Sequence, residues 1–497
     1  FTQTTASEML RSLVGSEMCI RDRIIMEKQN KQSEPSFYVN FKKVYARNID
    51  SNISLLNFLR HNCKFTGTKE GCSEGDCGAC SVLIFDEKGS LAPVNSCILK
   101  VGQILDKNIV TIEGASKLSS AKPLIQALNS EAASQCGFCT PGFVMAALAL
   151  KEKHKNPSES VIHDSLSGNL CRCTGYRPIV NGIQSLEEKI KFPSPINSKG
   201  SKLKTAIFGK TTYNYPESKK ELIEFISKEK NYSVVAGGTD WNLEAEDSNF
   251  KEQKILFLNN IREMSTIKTK TSSFEIGACV TLSKFEELCR EFFSPFLDTI
   301  IRFGSPQIRT AATVGGNLGT SSPIGDLAPL FFVLEAELSL LGPKGERTIP
   351  IKDFFKGYRK NALKRNELIY KVKVPKTKKE DSIFSWKLSK RYDQDISTLS
   401  LAAKFKMDKN YTIENIILSA GGVGPTPLLL DKTGKLLKDS NLRFNQNSLI
   451  TALSHDISPI SDLRGTAKYR SAAMVGLIKK MQRSAISGEK QHSIMSI

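Results

Sequence analysis

Eight of the chain's twelve cysteines lie between positions 72 and 173, and they lie in tight groups. Thiols spaced one to four residues apart must converge on something they share. The opening residues have neither the apolar core nor the cleavage site of a secretory signal. The chain is therefore expected to be cytoplasmic, with its grouped cysteines serving as metal or redox ligands rather than disulfides. Cys19, Cys63, Cys279 and Cys289 stand outside the groups and are expected to be structural or incidental.

The first group is Cys72-Ser-Glu-Gly-Asp-Cys77-Gly-Ala-Cys80. Its C-x4-C-x2-C spacing is that of a plant-type [2Fe–2S] loop, with Cys97 as the distant fourth ligand and Cys63 as the other choice. Gly71, Gly75 and Gly78 let such a loop bring backbone N–H groups close to sulfur without side-chain clashes. Zinc is the alternative, but zinc sites usually show two short pairs rather than three cysteines in one Gly-rich loop. The second group is Cys136-Gly-Phe-Cys139 together with Cys171-Arg-Cys173. Each pair precedes an expected helix, whose N-terminal partial positive charge favours thiolate.

Local patterns place these groups. Phe37, Val39 and Phe41 alternate with polar residues, which predicts a half-buried strand. Ser54 should cap a Leu-rich helix through Leu59, and Val82–Phe85 should form a strand ending in a turn at Asp86–Gly89. Another strand is expected at Ile109–Ile112. From 113 to 190 the chain reads as four helices: Pro123–Ala133, Phe143–His154 behind Thr140-Pro141, one capped by Ser158 and stopped by Gly168, and one opening at Pro178. Residues 191–204 are rich in Pro, Ser, Gly and Lys and read as a linker.

Beyond the linker stand two double-glycine turns, in Val234-Val235-Ala236-Gly237-Gly238-Thr239-Asp240-Trp241 and in Thr313-Val314-Gly315-Gly316-Asn317. Such turns present backbone N–H groups in concave nests suited to a pyrophosphate. Neither matches G-x-G-x-x-G, and Gly209-Lys210-Thr211 is no P-loop, because Lys204 stands where the first glycine is required.

The plant-type loop, then CGFCTPG, then LCRCTGYRP, then VVAGGTDW and TVGGNLGTSSPIGDLAP, together resemble the molybdenum hydroxylase family. Within it they resemble the small iron–sulfur and flavin subunit of the bacterial xanthine dehydrogenases. The resemblance covers roughly residues 36–485 in the family's domain order. It implies an α+β multidomain chain: a ferredoxin-like β-grasp domain over 36–112, a four-helix [2Fe–2S] bundle over 113–190 and the linker. An α/β FAD-binding domain of the vanillyl-alcohol-oxidase type follows over 205–380, and an α+β flavoprotein C-terminal domain over 381–485. One cluster would be held by Cys72, Cys77, Cys80 and Cys97, the other by Cys136, Cys139, Cys171 and Cys173. FAD would contact Val234 to Trp241, Phe303, Thr313 to Asn317, Asp326, Ile369 and Lys387. Lys390–Ile396 resembles the segment where the electron acceptor docks.

The function implied is electron transfer. A partner subunit with molybdopterin would oxidise hypoxanthine and xanthine to urate, and electrons would pass through both clusters and FAD to NAD+. Two such heterodimers would pair. No catalytic residue of its own is expected in this chain. Another molybdenum hydroxylase, acting on an aldehyde or a nitrogen heterocycle, and a non-enzymatic zinc scaffold are the alternatives.

Other features exclude further classes. The net charge of +19 comes from scattered lysines, without a nucleic-acid-binding motif or a single basic arm. Apolar runs such as Phe143–Leu150 are too short to span a bilayer. Ser16–Arg23 reads like a translated sequencing adaptor, so residues 1–25 are expected to be foreign, with a natural start at Met26.

Overall fold

The computed structural model describes residues 34–86, 88–196, 203–247, 254–408 and 412–487. The expected leader over 1–25, with Cys19, and positions 197–202 of the linker lie outside these ranges.

The first sheet contains β1 (Ser36–Val39), β2 (Lys42–Tyr45), β3 (Ser81–Phe85), β4 (Leu91–Asn95) and β5 (Asn108–Val110), in the order β2-β1-β5-β3-β4. β1 and β5 run parallel, and the other neighbours are antiparallel. A short helix capped by Ser54 crosses this sheet, as the β-grasp reading requires. Phe41 is not in the strand. It and Asn40 take φ of 63° and 51° in a two-residue hairpin turn, which suits the right-handed twist of the flanking strands. Ile112 likewise leaves the strand and opens a helix, because the Asn40 side chain accepts the Thr111 N–H at 2.8 Å and takes it out of the ladder. β4 holds Pro93, tolerated because β4 is an edge strand.

Alternate residues of a strand point to opposite faces. Val82 joins a core with Phe37, Val39, Phe58, Val94 and Ile109, whereas Leu83 and Phe85 join Leu91 and Val110 in another. The apolar run of β3 is therefore buried on both sides. Helices Lys122–Ser130, Thr140–Lys153, Glu159–Leu166 and Arg177–Gln184 cover the Leu83 face. The Thr140–Lys153 helix is capped one residue earlier than expected, by Cys139.

The Val82 face is covered by the Ser54-capped helix and, beyond it, by the next domain. Strands β6 (Thr205–Phe208), β7 (Thr211–Asn214), β8 (Ser233–Val235) and β9 (Lys254–Phe257) form a sheet in the order β6-β7-β9-β8. Phe208, Tyr213, Tyr215, Val235 and Phe257 complete the core begun by Phe37 and Val82. The Tyr215 hydroxyl donates to Gly102 O at 2.8 Å, and the Tyr213 ring packs where a Cβ on Gly102 would sit.

A five-stranded sheet built around Ser273–Gly277, Glu337–Gly342 and Leu368–Pro375 carries the largest core. The C-terminal domain is a sheet of Asp381–Leu388, Leu399–Met407, Ile413–Gly421 and Leu428–Leu429. Helices including Gln446–Asp456 and Ala467–Ser487 share its core. No helix among the described residues is long and apolar enough to cross a membrane.

Candidate electron-transfer site

The loop between the first helix and β3 folds its thiols into pairs. Backbone N–H groups of Asp76 and Cys77 both point at the Cys72 sulfur, at 3.3 Å, and Cys72 N–H points at the Cys77 sulfur at 3.4 Å. The Cys80 and Cys97 sulfurs lie 3.3 Å apart, with the residues only 2% and 4% exposed, among Leu56, Ile98, Leu243 and Ile308. Cys63 is half-buried elsewhere, packed against the grasp core, and burial pushes its thiol up to about 11.

The second group pairs in the same way but at the surface. The Cys136 and Cys173 sulfurs are 3.5 Å apart and both residues are exposed. Cys171 lies 3.1 Å from the Thr174 hydroxyl and shares a hydrogen bond with Cys139. Phe138, Leu170 and Tyr176 around it are also exposed.

Within each pair one thiol is easily ionised and the other resists. The Cys77 thiol, with help from backbone N–H groups, holds Cys72 down to about 4, while Cys77 is raised by its bond to Cys72 and by burial. The Phe138 N–H and the Cys173 thiol lower Cys136, and Cys173 is raised in turn. Two thiolates side by side need a cation to offset their repulsion, which is the situation a bound metal centre relieves. Among the described residues no three His, Cys, Asp or Glu groups converge as they would on a single ion. Four thiols arranged as two pairs are the donor set that a two-iron cluster requires.

The two loops are bonded directly. Leu170 N–H donates to Cys77 O at 2.9 Å, so one backbone hydrogen bond separates residues next to or within the two cysteine sets. A Cβ at Gly78 would lie 2.2 Å from Gly168 O, and one at Gly142 would lie 2.2 Å from Gly78 O. These glycines allow the close approach.

The flavin-type loops also meet. Gly237 packs so that a Cβ would lie 2.1 Å from Ala311 O, two residues before Thr313. Thr313 caps the helix Val314–Gly319, its Oγ1 accepting from Gly316 N–H at 3.0 Å. Asn317 Oδ1 is buried without a partner, as expected of a polar atom awaiting a ligand. Ile369 Cδ1 lies 4.0 Å from where a Cβ on Gly319 would be. Lys387 and Asp326 form a buried ion pair at 2.8 Å, and the Lys387 Nζ sits 6.0 Å over the Phe303 ring. Val234 points to solvent and is 42% exposed. Asp240 is raised by burial and by Glu244.

Several residues at these junctions carry no sequence signal. Gln103, from the grasp domain, donates to Gly237 O at 3.3 Å. Ser397 donates to Asp326. Asn361 Nδ2 donates to Gly319 O at 3.2 Å and to Ser321 Oγ at 3.1 Å. Polar residues such as these are recognisable only once the loops they join are in place.

Three family models match. Residues 111–184 match a [2Fe-2S] binding domain, 208–377 the FAD binding domain in molybdopterin dehydrogenase, and 384–485 the CO dehydrogenase flavoprotein C-terminal domain. Similar proteins include the xanthine dehydrogenase of Emericella nidulans, 29% identical over 91% of this chain. The xanthine dehydrogenase/oxidase of Gallus gallus is 28% identical over 85%, and aldehyde oxidase 1 of Bos taurus 28% over 81%. The chain spans 38% of the length of the first two and 35% of the third. Among solved structures, a chain of Cu,Mo-CO dehydrogenase matches with a TM-score of 0.51 at 22% identity, over 54% of this chain and 94% of its own. A chain of quinoline 2-oxidoreductase from Pseudomonas putida 86 matches with 0.50 at 18%, over 56% and 96%. With its thiol pairs, its joined glycine loops and these three domains in this order, the chain belongs to the molybdenum hydroxylases as an iron–sulfur and flavin module.

Proposed function

We propose that this chain is the electron-transfer part of a xanthine dehydrogenase. It would take electrons from a partner molybdopterin subunit that oxidises hypoxanthine and xanthine to urate, and deliver them to NAD+. Cys72, Cys77, Cys80 and Cys97 hold one [2Fe–2S] cluster and Cys136, Cys139, Cys171 and Cys173 the other. FAD would be held by Val234–Trp241, Phe303, Thr313–Asn317 and Asp326, with Ile369 and Lys387 near it. When bound, these groups supply one-electron and two-electron chemistry that amino-acid side chains lack.

The observation that carries this reading is the Leu170–Cys77 hydrogen bond, which ties a deep thiol set to a surface one. The chain's own residues divide the work. Backbone N–H groups at Asp76, Cys77 and Thr174 stabilise charge on sulfur. Burial of Cys80 and Cys97 keeps water from the inner site. The Lys387–Asp326 pair places a fixed positive group against the flavin pocket. Phe138, Leu170 and Tyr176 form an apolar rim at the outer site, where the partner subunit docks.

The choice of purine rests on the xanthine dehydrogenase relatives. The aldehyde oxidase relative supports a second reading, the same role in an aldehyde-oxidising or heterocycle-oxidising hydroxylase. The test is the visible spectrum of the anaerobically purified protein before and after NADH. Flavin and iron–sulfur bands that bleach are expected. Bands that persist would remove NAD+ as acceptor. A colourless protein after reconstitution with iron, sulfide and FAD would overturn the electron-transfer reading and return the cysteines to zinc.

A further inference from the structure

Three domains meet at one side chain. Gln307 lies in the helix Pro306–Ala311 of the flavin half and is fully buried. Its Nε2 donates to Asn169 Oδ1 at 2.8 Å and to Ser81 Oγ at 3.2 Å. Asn169 Nδ2 donates to Gly78 O at 3.1 Å, and Ser81 Oγ donates to the same oxygen at 2.7 Å. The four residues close a ring of hydrogen bonds. Gly78 stands between Cys77 and Cys80, Ser81 follows Cys80, and Asn169 precedes Cys171 by two residues.

Nothing in this ring can relax independently. The two donations fix which way the Gln307 amide faces and leave its Oε1 buried without a partner. That oxygen is pressed on Gly168, where a Cβ would lie 1.9 Å from it. On the same helix, Ile308 packs with Cys80, Cys97 and Ile98. The following turn, Ala311–Ala312, packs on Gly237 of the flavin loop. A buried polar network that is nearly satisfied sets a unique arrangement of the parts it joins.

We infer that Gln307 is a positioning residue for electron transfer between the two clusters. The flavin domain, through this side chain, braces the approach of the Cys77–Cys80 and Cys171–Cys173 loops that the Leu170–Cys77 bond begins. The inference rests on the cluster assignment proposed above. The step moves one electron, oxidising one cluster and reducing the other, and makes or breaks no bond. Its rate is therefore governed by the separation of the loops rather than by proton chemistry. Gln307 touches neither site directly and acts by holding Asn169 and Ser81.

The experiment uses the full chain with clusters and FAD reconstituted, as wild type, Gln307→Met and Ser81→Ala. Gln307→Met keeps the volume and removes both donations. Ser81→Ala removes one acceptor of Gln307 together with the donation to Gly78 O, at little steric cost, and leaves the Gln307–Asn169 bond in place. Iron and FAD content are measured first. Electron paramagnetic resonance of the dithionite-reduced protein then reads the magnetic splitting of each cluster by its neighbour. Stopped-flow reduction by NADH reads how fast the outer cluster follows the inner one. Gln307→Met is expected to keep cofactor content, diminish the mutual splitting and slow filling of the outer cluster severalfold. Ser81→Ala should shift both in the same direction by less. If Gln307→Met fails to take up clusters, the Ser81→Ala result decides. Unchanged splitting and rate in a variant with full cofactor content would overturn the role of Gln307. Absence of cluster signals in the wild type would overturn the cluster assignment instead.

Discussion

The two cysteine regions solve the same chemical problem in opposite surroundings. The Cys72–Cys97 region lies where the grasp domain and the flavin half share a core, and two of its thiols are nearly inaccessible. The Cys136–Cys173 region is held at one end of a helical bundle with two thiols exposed. Both use paired thiols and backbone N–H groups, so the chemistry of ligation is alike. What differs is the dielectric around them and what lies beyond them. An inner site is screened from solvent and next to the flavin loops. An outer site can exchange with a separate molecule.

The strongest way to break the contrast is to force the regions apart. Gly78→Ala puts a side chain at φ of 69° with backbone 2.2 Å away, whereas Gly137→Ala, at φ of 80°, meets nothing within 4 Å. Gly78→Ala is expected to cost on the order of 4 kcal/mol and Gly137→Ala roughly 1 kcal/mol, compared by urea denaturation. Equal costs would mean that the loop junction does not hold the domains together.

A smaller effect concerns access. In the apoprotein, Cys136, exposed and easily ionised, should react with iodoacetamide about a hundredfold faster than the buried Cys97, since reactivity follows thiolate fraction and exposure. Peptide mapping of a time course checks the order. Early labelling of Cys97 would mean that the inner site opens without the outer.

The smallest effect tests the charged contact between the bundle and the flavin half. Burial, and then the nearby Asp393, raise Asp164, while Arg309 lowers it. A carboxylic acid with a raised folded-state pKa contributes stability at low pH that is lost as pH rises through that value. Asp164→Asn should therefore raise the melting temperature by about 1 °C at pH 7 and leave it unchanged at pH 4. A drop at pH 7 would show that the ionised form is instead held by Arg309.

The local signals in the chain were legible wherever chemistry is concentrated in a few adjacent residues. The C-x4-C-x2-C loop, the caps at Ser54 and Ser158, and the four helices of the bundle all follow from short-range pattern. Where a long-range contact decides, local pattern fails. Phe41 continues the alternation of β1 but is diverted by a hairpin turn. Ile112 is β-branched but begins a helix because Asn40, 71 residues away from Thr111, claims the backbone. The apolar run of β3 announces a strand, and only the assembled domains reveal that each face has its own partner. Gln307 and Asn169 are invisible for the same reason: an isolated amide has no signature until its partners surround it.

The double burial of β3 also bears on how the protein is made. A ribosome adding 5–20 residues per second takes on the order of ten seconds to pass from β5 at Val110 to β9 at Phe257. Throughout that interval the Val82 face of the grasp sheet has only its own short helix to cover it, and Tyr213, Tyr215 and Phe257 are still missing from its core. The nascent chain therefore carries a half-covered apolar core beside its thiols, a window in which a chaperone or a cluster donor reaches Cys80 and Cys97 before Leu243 and Ile308 close over them.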